Sequence, residues 1–345
     1  MKMTQIKGVL ATLCAVLAVL LAVSCEREPM PGSDGGRSAV SFVVSSTQTR
    51  ASVTPHEGNV TSLDVLVFRS NGALDAHARA TAAGTQMVES VTTEVSGGMP
   101  LNWYVIANAP AGTFSSFSTE QSFLAAATLL THGTTESLVM YGKGNLPDGP
   151  VSGSVRVSLT RYACKVTLER LTVDWSDAFT MASSVTLGRI VLVNVVGSTP
   201  WSGTPAAGDL WYNRMGVESG QASYVEDMTV RNYRALALQR GVAAEVASPL
   251  YCMPNPVSSD DNSETVPTWT PRKTRIAVEI LLDGEANWYP IDLPVMSCNT
   301  HYLINSLTIT GPGSNNPDKP VKRSDIRFTA QVVPWEDTTI PVPYQ

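Results

Sequence analysis

The sequence predicts an all-β protein made of two antiparallel β-sandwich domains with one short helical insertion. Three observations carry this. Short segments alternate apolar and polar residues with a period of two, clusters of Gly, Pro, Asn and Asp separate them, and a single stretch has a helical repeat. A chain of 345 residues is long enough for two ordinary domains. Its net charge of −6, with no Lys/Arg block, gives no electrostatic footprint for nucleic acid.

Residues 1–24 read as a secretion signal. Lys2 and Lys7 precede an apolar run from Val9 to Val23 that is too short and too terminal for a stable span. The run ends in LLAVSCEREP, and small residues just before Cys25 fit lipoprotein processing, in which that thiol takes acyl chains such as palmitate and becomes the new N-terminus. Ala22 makes the motif imperfect, so cleavage at an ordinary small-residue site with Cys25 incidental is the alternative. Several chains on one cysteine suffice for a durable outer-membrane anchor. Residues 26–37, EREPMPGSDGGR, then form a Pro/Gly tether.

The first strand follows in SAVSFVVSSTQTRAS, residues 38–52. Val40, Phe42 and Val44 share one face while Ser41, Ser45 and Thr47 interrupt the other. This strand runs straight into Arg50 with no Gly or Asp turn. Further strands are expected in SLDVLVFRSNG (62–72), MVESVTTEV (87–95), LNWYVIANA (101–109), the long run 153–175 and GRIVLVNVV (188–196). Later ones fall in TRIAVEILLDG (274–284), HYLINSLTITG (301–311) and DIRFTAQVV (325–333). SFSTEQSFLAAATLLTH reads as helix, with Ser118 and Gln121 as a capping box and Phe123, Leu124, Ala127 and Leu130 on one face. A break near 174–186 divides the chain into domains of 51–176 and 177–345. Elaborate surface loops are expected between GSTPWSGTPAAG and NPVSSDDNSE.

A search for chemistry finds no constellation. G-x-S-x-G, H-E-x-x-H and Walker patterns are absent from the sequence. In YGKGNLPDG and GPGSNNP the third glycine of a dinucleotide fingerprint is replaced by Pro147 and Asn316, and both stretches read as turns. His56, His77, His132 and His301 are scattered, and the acidic SSDDNSE loop lacks the ligand order of a calcium loop. No catalytic residue, metal site or cofactor is therefore expected. Of five cysteines, Cys14 lies in the signal and Cys25 at its end, leaving Cys164, Cys252 and Cys298. Three thiols allow at most one disulfide within a chain, and buried free thiols are the expectation.

At the C-terminus, TTIPVPYQ places Ile340, Val342 and Tyr344 in alternation with Pro341 and Pro343. An extended segment with proline at every second position lacks N–H donors along one edge and keeps them on the other. It reads equally as a one-sided strand or a frayed terminus.

Taken together, the signal ending at Cys25, SFVVSSTQTR with Arg50, SLDVLVF, WYVIANAP, TRYACKVTLERL, and NTHYLINSLTITGPGSNNPDKPV followed by VVPWE make the sequence resemble the FimA-type fimbrillins, the subunits of type V pili. That resemblance implies two transthyretin-like β-sandwiches exported as a lipoprotein. It implies cutting by an arginine-specific protease between Arg50 and Ala51, which removes the anchor and the strand of Val40, Phe42 and Val44. The emptied groove is then filled by the C-terminal strand of a neighbour, here Ile340, Val342 and Tyr344, so that subunits polymerise head to tail into a surface fimbria with accessory subunits. An accessory tip or anchor subunit is the alternative within the class, and a surface glycan-binding lipoprotein the alternative outside it. Arg37 precedes the strand, and a cut there opens no groove. Lys143, Arg156 and Arg161 lie in or beside expected strands, which protects them.

Overall fold

The computed structural model describes residues 36–44, 57–84, 87–149, 152–206, 208, 210–214, 225–247, 249–259 and 269–335. Strands dominate. The first nine are β1 (Arg37–Val44), β2 (Ser62–Arg69), β3 (Leu74–Thr81), β4 (Ser90–Ser96), β5 (Leu101–Ala107), β6 (Ala127–Leu129), β7 (Met140–Leu146), β8 (Gly153–Val157) and β9 (Thr160–Arg161). Then come β10 (Cys164–Val173), β11 (Val185–Val193), β12 (Val195–Val196), β13 (Ser198–Pro200), β14 (Trp211–Tyr212), β15 (Val230–Ala237) and β16 (Ala243–Glu245). The last are β17 (Leu250–Cys252), β18 (Arg275–Leu282), β19 (Glu285–Asp292), β20 (Thr300–Ile309) and β21 (Ile326–Pro334).

In the first sandwich the sheet β4-β1-β8 faces the sheet β3-β2-β5-β7-β9. β2 is buried along nearly its whole length because it has two faces to cover. Leu63, Val65 and Val67 meet the β1 sheet, while Leu66 and Phe68 join the larger core around Phe114, Phe123 and Trp201. The second sandwich packs β16-β10-β20-β21, with β17 also on β10, against β15-β11-β18-β19. Among the described residues pairing is mostly antiparallel, with two parallel ladders, β1 with β8 and β10 with β20.

The helix is shorter than its sequence pattern suggests. It spans only Glu120–Ala125, and Thr119 rather than Ser118 caps it, accepting the Ser122 N–H at 3.2 Å. Ala127 and Leu129 instead pair with β13 as strand β6, so tertiary pairing overrides the local helical periodicity. YGKGNLPDG is also corrected: most of it is β7, not a turn. A Cβ on Gly142 would lie 2.6 Å from Val157 Cγ1, and one on Gly144 would lie 2.5 Å from Trp103 Cζ2. Those glycines serve close packing within a strand. GPGSNNP does form a loop. Asp318 just after it is buried, and its carboxylate takes Arg272 at 2.7 Å, Arg275 at 2.6 Å and the Asn194 amide at 2.7 Å. Among the described residues no helix is long and apolar enough to cross a membrane.

Candidate functional site

β1 is the middle strand of its sheet. It pairs antiparallel with β4 from Arg37↔Ser96 to Val43↔Ser90, and parallel with β8 from Val40↔Gly153 to Val44↔Val157. Since β4 and β8 do not pair with each other, β1 alone joins them. Its inward face carries Val40, Phe42 and Val44, at 1%, 0% and 7% exposure. The Phe42 ring sits 5.5 Å from that of Trp103 on the facing sheet, and Trp103 in turn lies over Gly144, whose missing side chain makes room for it. The slot holding β1 is therefore floored by Trp103 and walled by Val91, Val95 and Val157.

The slot has a chemical direction. Val44 donates its N–H to the Glu89 carbonyl at 2.9 Å, continuing the β4 ladder. Donors alternate along a strand, so the inward residues of β1 direct their N–H groups to β4 while Ser41 and Val43 direct theirs to β8. At the strand's start, the Arg37 guanidinium donates to the carbonyls of Glu94 and Asp75 and lies 3.8 Å from the Asp75 carboxylate. Burial opposes ionisation of Asp75, but the Ser96 hydroxyl and amide, with Arg69 and Arg37, outweigh it and hold this carboxyl below its ordinary value.

A second cluster ties the segment after β1 to the end of β21. Glu57, fully buried, binds Lys165 Nζ at 2.8 Å, accepts the Tyr251 hydroxyl and accepts the Trp335 indole N–H at 3.3 Å. Trp335 stacks on Tyr251 at 5.9 Å, and the Arg161 guanidinium lies 4.7 Å from its ring centre. Burial first, and then the Glu57 charge, push the Tyr251 hydroxyl well above its usual range. Glu57 follows Arg50 closely in sequence, and Trp335 is the last described residue before the tail. Glu57 and Trp335 thus meet in one buried ionic hub.

Val40, Phe42 and Val44 come together as one buried row. Cys25, Arg50, Ala51, Ile340, Val342 and Tyr344 lie outside the described residues, as does most of the acidic SSDDNSE loop. Arg161 is buried at 3% exposure, and Arg37 and Arg156 sit in strand ladders. Ahead of the tail, β21 is, among the described residues, an edge strand paired only with β20, and it exposes Phe328 and Val332. Sequence reasoning missed the Glu57 hub, whose members are scattered along the chain and meet only in space. It also missed Trp103 and Gly144, whose partnership crosses two strands.

Comparison with known proteins adds an independent line. Residues 38–161, from the second residue of β1 to the end of β9, match the family of the major fimbrial subunit protein (FimA). A search of curated proteins gives no match. Among solved structures, a candidate cell adhesion protein from Parabacteroides distasonis superposes with a TM-score of 0.63 at 17% identity, covering 87% of this chain and 100% of that one. One from Bacteroides eggerthii gives 0.62 at 17% identity, covering 88% and 97%. The fimbrilin (FimA) of Porphyromonas gingivalis gives 0.60 at 16% identity, covering 88% and 98%. The chain is thus similar to the FimA-type fimbrillins twice over, by the sequence of its first sandwich and by a fimbrilin fold through most of its length.

Proposed function

We propose that this chain is a structural subunit of a cell-surface fimbria that assembles by exchanging β1 for the tail of a neighbouring copy. The observation that carries the reading is that β1, a strand ending just ahead of Arg50, fills the centre of its sheet with three buried apolar side chains. Stripping them forfeits roughly 1.5–3 kcal/mol each, so about 5–9 kcal/mol of burial, and leaves unpaired edges on β4 and β8. Refilling that slot drives β-strand addition, and because donor and slot lie on different parts of one molecule the contact propagates into a filament.

The two prolines fit this scheme on one condition. If the tail enters in the direction of β1, with Ile340, Val342 and Tyr344 taking the places of Val40, Phe42 and Val44, its inward N–H groups serve β4. Pro341 and Pro343 then fall at the positions whose N–H would face β8, and only that flank loses donors. The precursor arrives as a lipoprotein held at the outer membrane through Cys25, an arginine-specific protease cuts between Arg50 and Ala51, and accessory subunits complete the fimbria.

Two variants test this. Arg50→Ala is expected to give a folded monomer that stays monomeric with an arginine-specific protease, and deletion of residues 338–345 a chain that is cut yet does not assemble. Filaments of normal length from either variant, seen by electron microscopy, overturn the proposal.

A further inference from the structure

Outside the slot, the buried cysteines form a cluster that the assembly scheme does not use. Cys164 opens β10 and Cys252 closes β17, and the two are direct partners across that antiparallel ladder. Opposed residues in such a pair have Cα atoms about 4.5–5.5 Å apart, inside the roughly 4.4–6.8 Å window of a disulfide. Both side chains are fully buried; the Cys164 thiol donates to the Ser297 carbonyl at 3.1 Å and the Cys252 thiol to the Met296 sulfur at 3.9 Å. Cys298 is placed differently: it is half-buried, and its sulfur faces the Gly203 carbonyl at 3.6 Å.

We propose that Cys164 and Cys252 are an oxidation site, joined by a cross-strand disulfide in the mature protein, and that Cys298 stays a thiol. The oxidant is a disulfide, either that of a dithiol oxidoreductase or oxidised glutathione. One cysteine thiolate attacks it, forming a mixed disulfide and expelling one thiolate. The second cysteine attacks the mixed disulfide and expels the other. Two electrons pass to the oxidant, and the two protons lost by the cysteines end on its thiols. Burial pushes the Cys164 thiol well above its usual range, which makes attack from within the finished core slow. The bond therefore forms while β17 docks on β10.

The bond has a structural consequence. β17 is only three residues long, and its middle residue, Tyr251, carries the hydroxyl that Glu57 accepts and the ring on which Trp335 stacks. A disulfide one residue away pins that strand, and with it the hub at the root of the tail.

The experiment uses the full chain, unfolded and reduced, then refolded in a glutathione redox buffer, trapped with N-ethylmaleimide under denaturing conditions and mapped by mass spectrometry without reduction. The expected result is a peptide carrying Cys164 linked to one carrying Cys252, with the maleimide on Cys298. Cys298→Ser leaves the link in place, and reduction lowers the unfolding midpoint by about 5–10 °C. Maleimide on both Cys164 and Cys252, or a link through Cys298, overturns the proposal.

Discussion

Phe42→Ala separates a strand that merely packs from one that is meant to leave. In the uncut chain Phe42 is fully buried and its ring meets Trp103 at 5.5 Å, so truncation removes a large apolar side chain and leaves a cavity over Trp103 that Gly144 cannot fill. Substitutions of this kind cost about 3–5 kcal/mol, and the rigid two-strand frame of β4 and β8 gives the site little freedom to collapse. Urea unfolding of the uncut chain, followed by tryptophan fluorescence, is expected to show that loss. After cleavage at Arg50 and assembly, Phe42 is no longer present, so the variant and parent polymers are expected to dissociate at the same urea concentration. A loss under about 1 kcal/mol before cleavage would show that β1 is not part of the core. A loss that persists undiminished in the polymer would show that β1 is never displaced.

Two further predictions concern the rest of the frame. Glu57→Gln leaves Lys165 buried without its countercharge and is expected to lower unfolding free energy by about 3 kcal/mol in urea; a change under about 0.5 kcal/mol would refute the role given to the hub. His301, whose imidazole is pushed down to about 4 by burial and by Lys165, is neutral in the fold but has an ordinary value of 6.5 when unfolded. Its folded value is depressed, so the stability it contributes is complete above about 6.5 and drains away as pH falls through about 4. His301→Gln is expected to flatten the pH dependence of unfolding in that window, and an unchanged slope would contradict the assignment.

Much of the first sandwich is legible in the sequence because one covered face produces strict alternation. Val40, Phe42 and Val44 in β1, and Val91 and Val95 in β4, declare themselves in this way. β3 does not: LDAHARAT is rich in Ala, His and Arg, and besides its small alanines it is held by pairing with β2, by the hydrogen bond between His77 and Asp64 and by the ion pair of Arg79 with Asp64. β7 was hidden by the same two glycines that let Trp103 and Val157 approach it. The apparent long helix at 118–132 failed because Ala127 and Leu129 are claimed by β13, more than sixty residues further on. Contacts of that range are set by topology and leave no local periodicity. The same reason hid the Glu57 hub, which gathers Lys165, Tyr251 and Trp335 from three distant segments.

The most direct test of the account is digestion of residues 26–345 with an arginine-specific protease, read by N-terminal mass analysis and size-exclusion chromatography. Arg37 and Arg156 are held in ladders and Arg161 is buried, so the account predicts one dominant cut, after Arg50, with conversion of monomer into a ladder of oligomers. A chain that resists the protease, or one cut at Arg50 that remains a monomer, would contradict assembly by exchange of β1.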